Sequence, residues 1–81
     1  MSKADKMFEE LGYEISYEVN FIMFTKILEI NDEYKQIVFN IKKGLIDVRT
    51  DDNFNLQVIT STLNIKELQA INEKVKELGW L

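Results

Sequence analysis

The chain has 81 residues, 46% apolar and 30% charged, with no proline, cysteine or histidine. That length holds one hydrophobic core, read as a single domain over residues 1–81, and the composition excludes a disordered chain. Without cysteine there is no disulfide or thiolate metal site, so a reducing, cytoplasmic setting is expected; the net charge of −4 opposes phosphate backbones and anionic lipid.

Ser2, with Asp5 three residues on, is a candidate N-cap, and Ala4, Met7, Phe8 and Leu11 then share a helical face. Residues 1–6 lead into no signal-peptide core, and no apolar run reaches the ~20 residues of a membrane span. Gly12 can take the left-handed conformation that closes the helix, placing Tyr13 against Phe8. From about Val19 to Ile30 the chain is apolar on both parities, Phe21, Met23 and Ile27 against Ile22, Phe24, Leu28 and Ile30. This predicts a strand that wants cover on both faces.

Asn31-Asp32-Glu33 is turn chemistry at hairpin length, so the next strand should pair antiparallel. There Ile37, Phe39 and Ile41 alternate with Gln36, Val38 and Asn40, and after Gly44 the residues Ile46, Val48 and Thr50 alternate with Asp47 and Arg49. A short further strand is a candidate from Phe54 to Thr60, beyond the polar turn Asp51-Asp52-Asn53. Asn64 and Glu67 then form a capping-box pattern, with Leu63 and Leu68 in hydrophobic-staple positions. Ile65, Leu68, Ile71, Val75 and Leu78 predict the packed stripe of a C-terminal helix, and Lys66, Glu67, Glu73, Lys74, Lys76 and Glu77 its wet side. Gly79 ends this helix and lets Trp80 lie on Val75. The expected fold is α+β, an antiparallel meander of three to four strands flanked by an N-terminal and a C-terminal helix.

The residues needed for common chemistry are scarce. Without histidine and cysteine the chain lacks the usual general base, nitrogen metal ligand and thiolate nucleophile. Ser2, Ser16 and Ser61 lie in cap, strand or turn contexts, with no Gly-x-Ser-x-Gly elbow. The acid pairs Asp32/Glu33 and Asp51/Asp52 are neighbours in polar turns, where adjacent side chains diverge rather than flank a bond. Asp51-x-Asn53-x-Asn55 echoes the opening of a calcium loop, but Leu56 stands where that loop needs glycine and Thr62 where it needs a bidentate glutamate. Three scattered glycines build no phosphate cradle. No catalytic residue, metal site or cofactor is expected.

The remaining signal is apolar surface. If each helix covers a different sheet face, the Val19–Ile30 strand is consumed in one core; otherwise it offers a face to a partner protein or a second copy. Phe21, Ile22, Met23, Phe24, Leu28 and Tyr34 are the candidate interface, supplemented by Tyr13 and Tyr17. The expectation is a non-enzymatic accessory or protein-interaction protein. A competing reading is a nucleic-acid-binding module using Lys35, Lys42, Lys43 and Arg49 on the sheet, with Tyr34 and Phe39 near by. The acidic balance and the inward phase of Phe39 oppose it.

Lys6-Met7-Phe8-Glu9-Glu10-Leu11-Gly12-Tyr13-Glu14, together with Glu67-Leu68-Gln69-Ala70-Ile71-Asn72-Glu73-Lys74-Val75-Lys76-Glu77-Leu78-Gly79-Trp80, resembles a family of small uncharacterised phage and prophage proteins of Firmicutes. The shared residues cap and bury helices. The resemblance implies a bacterial cytoplasm and an accessory protein of a mobile element, and it carries over no catalytic residue.

Overall fold

A computed structural model describes residues 2–28, 33–52, 58–59 and 62–81. Helix α1 (Lys3–Glu10) begins where Ser2 Oγ accepts the Asp5 N–H at 3.1 Å. It ends at Gly12, where φ is +93°, a conformation that costs little only without a Cβ. The Tyr13 N–H then donates to the Phe8 carbonyl at 3.1 Å and the Gly12 N–H to that of Glu9 at 3.0 Å, the expected Schellman closure. The Tyr13 ring meets Phe8 edge-on, centroids 5.7 Å apart.

Helix α2 (Ile65–Glu77) opens on the expected capping box. Asn64 Oδ1 accepts the Glu67 N–H at 2.8 Å, and Glu67 Oε1 accepts the Asn64 N–H at 2.9 Å. It closes as α1 does, with the Trp80 N–H donating to the Val75 carbonyl and the Gly79 N–H to that of Lys76, both at 3.0 Å.

Between the helices run β1 (Glu14–Tyr17), β2 (Phe21–Leu28), β3 (Glu33–Asn40), β4 (Leu45–Asp52) and β5 (Val58–Ile59), an antiparallel meander in chain order. The expected helix, meander, helix succession is therefore present, with the short β1 added at its N-terminal edge. β5 belongs to the Phe54–Thr60 segment, whose other residues lie outside those described, as do Asn53 and Asn55 of the calcium-like spacing and Ile30, Asn31 and Asp32 of the first hairpin. Ile41, read as the end of a strand, instead stands exposed in the turn 41–44.

Register sorts the side chains. Ile15, Phe24, Ile37 and Val48 are cross-strand partners in one row, and Tyr17, Ile22, Phe39 and Ile46 in the next. These rows meet both helices: Ile22, Phe24, Ile37 and Phe39 form one core with Phe8 of α1 and Ala70, Ile71 and Val75 of α2. Phe8 stacks on Phe24 with centroids 3.8 Å apart. The helices run antiparallel on that face, the Ala4 N–H at the start of α1 donating to Glu77 Oε2 at the end of α2 at 2.9 Å. The result is two layers, helices on one side of the sheet and no described element on the other.

The packed stripe of α2 is Glu67, Ala70, Ile71, Lys74 and Val75, turned from the stripe read in the sequence. Ile65 and Leu68 face outward, 70% and 43% exposed. The helix rotates because Glu67 and Lys74 find buried partners, and because Ala70 brings α2 close to α1, where Ala4 is equally enclosed.

Candidate functional site

With both helices on one side, the opposite face of β1–β4 is bare of every described element, and its side chains form cross-strand rows. One row is Glu14, Thr25, Gln36 and Arg49; the next is Ser16, Met23, Val38 and Asp47. Ile27 lies beside Tyr34 toward one end of the sheet, and Phe21, Asn40 and Leu45 toward the other. Ile27, Leu45 and Phe21 are 73%, 54% and 39% exposed. Val38 is buried even here, under its neighbours, at the floor of a depression of about 470 Å3 lined also by Phe21, Met23, Asp47 and Arg49. Gln36 Nε2 donates to Thr25 Oγ1 at 3.4 Å and Arg49 Nη2 to Gln36 Oε1 at 3.3 Å, so the first row is linked across three strands.

The six candidate interface residues divide between faces, because successive strand residues point opposite ways. Phe21, Met23 and Tyr34 lie on the bare face. Ile22 and Phe24 belong to the core and Leu28 to the helix-facing side, so these three leave the interface. Ile27, Val38 and Leu45 share the bare face although the sequence did not single them out; their alternation with Phe24, Ile37 and Ile46 was the available signal.

The basic set does not hold together either. Lys42 and Lys43 sit in the turn 41–44 and Arg49 on the bare face, while Lys35 is buried on the helix side, 2.8 Å from Glu67.

Two clusters join the layers, each built from a tyrosine, a carboxylate and a lysine, with the carboxylates and lysines buried and Tyr17 of the second largely exposed. In the first, Glu67 Oε1 takes hydrogen bonds from Lys35 Nζ at 2.8 Å and the Asn64 N–H, and Oε2 takes one from the Tyr13 hydroxyl. Lys35 Nζ also donates to the Thr62 carbonyl. In the second, Asp5 receives Lys74 Nζ at 3.0 Å and the Tyr17 hydroxyl, with Glu77 3.5 Å from the same ammonium. Among the described residues, every buried side-chain nitrogen and oxygen has a hydrogen-bond partner.

Burial would raise both carboxyls, but the hydrogen bonds and charges outweigh it. Lys35, Tyr13 and the Asn64 backbone hold Glu67 below its ordinary range, and Tyr17, Lys74 and Ser2 do the same for Asp5. Burial, then the carboxylate each faces, pushes the phenols of Tyr13 and Tyr17 up; Lys74 is also raised, the pull of Asp5 exceeding the effect of burial. All five shifts run away from neutrality, the direction of ion pairs that join elements rather than of groups poised to exchange protons at pH 7.

The first cluster borders a cavity of about 460 Å3 walled by Lys26, Glu33, Lys35, Thr50 and the first turn of α2. Lys26 and Lys35 are direct cross-strand partners, a like-charge pairing that Glu67 relieves on one side. Lys26 Nζ lies 5.9 Å from the centre of the Tyr13 ring, a cation–π contact.

Compared with protein-family models, curated proteins and solved structures, the chain finds no match. Among the described residues no helix is long and apolar enough to cross a membrane, and no group of three or more acidic side chains is placed to hold a metal ion.

Proposed function

We propose that the chain is a non-enzymatic, cytoplasmic accessory protein of phage or prophage origin that works by presenting the bare face of its sheet to another polypeptide. The single observation that carries this reading is the placement of both helices on one side, which leaves Phe21, Met23, Ile27 and Leu45 facing solvent on the other. Exposed apolar sheet surface that no described element covers marks a site of interaction. The direction of the five pKa shifts supports the non-enzymatic part, and the resemblance of the two ends supports the origin.

The test compares three forms of the tagged chain as bait in a bacterial lysate: wild type, the bare-face variant Ile27→Lys/Leu45→Lys, and the helix-surface variant Ile65→Lys. All three positions are exposed, so folding should persist, as circular dichroism will verify. Chains captured by wild type and Ile65→Lys but lost with the double variant, a second copy of this chain included, are the expected result. Equal capture by all three baits, or none by any, overturns the proposal.

A further inference from the structure

We infer that the occupant of the bare face is a second copy of the chain, packed face to face about a twofold axis parallel to the strands and between β2 and β3. The inference rests on reading that face as the working surface, and it comes from the order of side chains along its rows. A twofold axis so placed lays β1 over β4 of the second copy and β2 over its β3, so each row meets its own reverse. The row Glu14, Thr25, Gln36, Arg49 then sets Glu14 against Arg49 of the second copy and Thr25 against its Gln36, each contact made twice.

The neighbouring rows obey the same symmetry. In Ser16, Met23, Val38, Asp47, Met23 meets Val38 of the second copy and Ser16, a donor, meets its Asp47, an acceptor. Ile27 and Tyr34, paired across β2 and β3, pack on each other's counterparts. In the row at the other end of the face Phe21 meets Asn40 of the second copy, with Leu45 at the outer edge.

The other axis available to two facing sheets, across the strands, fails on the same residues. It stacks Met23 on Thr25 and Val38 on Gln36 of the second copy or, shifted by half a pleat, Asp47 on Asp47.

The area sets the strength. Three strands of eight residues and β1 of four, at ~3.4 Å per residue and ~4.8 Å between strands, give roughly 450 Å2 per copy. Twice that is about 900 Å2, the size of a weak, transient interface. A dimer that forms in the micromolar range or above is expected, not an obligate one.

Sedimentation equilibrium from ~5 μM to ~1 mM tests this. Wild type should pass from monomer to dimer across that range. Glu14→Lys and Arg49→Glu alter exposed positions, and each brings two like-charge contacts into the dimer, weakening association by about tenfold or more. Mixing the two variants should restore association, because each supplies the charge that the other has lost; the double variant Glu14→Lys/Arg49→Glu should recover it alone. Urea midpoints close to wild type will confirm that both singles fold.

A wild type monomeric throughout overturns the inference, as does a dimer indifferent to both reversals, or singles that stay apart when mixed. If the chain stays monomeric yet loses lysate capture with Ile27→Lys/Leu45→Lys, the dimer falls and the presenting face stands. If capture also fails, both fall.

Discussion

Asp5 and Lys74 lie 3.0 Å apart with side chains 6% exposed each, and removing one partner of such a pair strands the other in a poor solvent. Lys74→Met is therefore expected to lower the free energy of unfolding by about 3–5 kcal/mol. Asp5→Leu/Lys74→Met should regain most of that loss, since two apolar side chains need no counter-charge there. Urea unfolding measures both, and a double variant no better than the single would locate the cost in lost packing. This pair was not legible in the sequence, which read Lys74 and Glu67 as solvated by residue type. Nothing local reveals that Asp5 lies across from Lys74 or Lys35 across from Glu67, because those partners are 69 and 32 positions away. A trace existed: Glu67, Ala70, Ile71, Lys74 and Val75 recur at helical steps as regularly as the more apolar stripe.

Both helices stop at a glycine with positive φ inside the same Glu-Leu-Gly-aromatic ending. At Gly79, where φ is +75° and a Cβ would meet open space, the cost of a side chain is conformational alone. Gly79→Ala should lower stability by about 1 kcal/mol and Gly79→Asn by less, asparagine being the better left-handed residue; thermal melts of the two variants check the order. Caps and closures of this kind were legible because each is a local bargain between a few adjacent groups. Strand β1 was not, since Glu14-Ile15-Ser16-Tyr17 offers only four residues of alternation, and its stability comes from pairing with β2 and from phenols that reach the two carboxylates. The candidate interface was half legible: β2 showed apolar residues on both parities, yet only the helix placement decides that Ile22 and Phe24 go in while Phe21 and Met23 stay out.

That placement belongs to the molecule as a whole. No propensity or cap shows whether α1 and α2 share a side of the sheet; packing α1 on α2 and burying the two clusters decide it. The same clusters shape the dependence of stability on pH. Asp5 and Glu67 are held below their ordinary values of 3.8 and 4.5, so in acid the unfolded chain binds more protons than the native one. Their contribution is complete above about pH 5 and is lost as pH falls through the folded values. Tyr13 and Tyr17 are raised above 10.0 and Lys74 above 10.5, so their contribution is complete below about pH 10 and fades as pH rises through the folded values. Urea midpoints across this range should trace a plateau with a fall on either side, and a flat profile down to about pH 3 would remove the carboxylates from the account.

The hydrogen bond between Ala4 and Glu77 spans 73 positions of an 81-residue chain. The start of α1 and the end of α2 thus lie side by side. Chain order and spatial order are separable here: a short linker from the end of α2 to the start of α1, with the chain reopened at the exposed 41–44 turn, would start the polypeptide mid-sheet yet leave each row and each cluster where it stands.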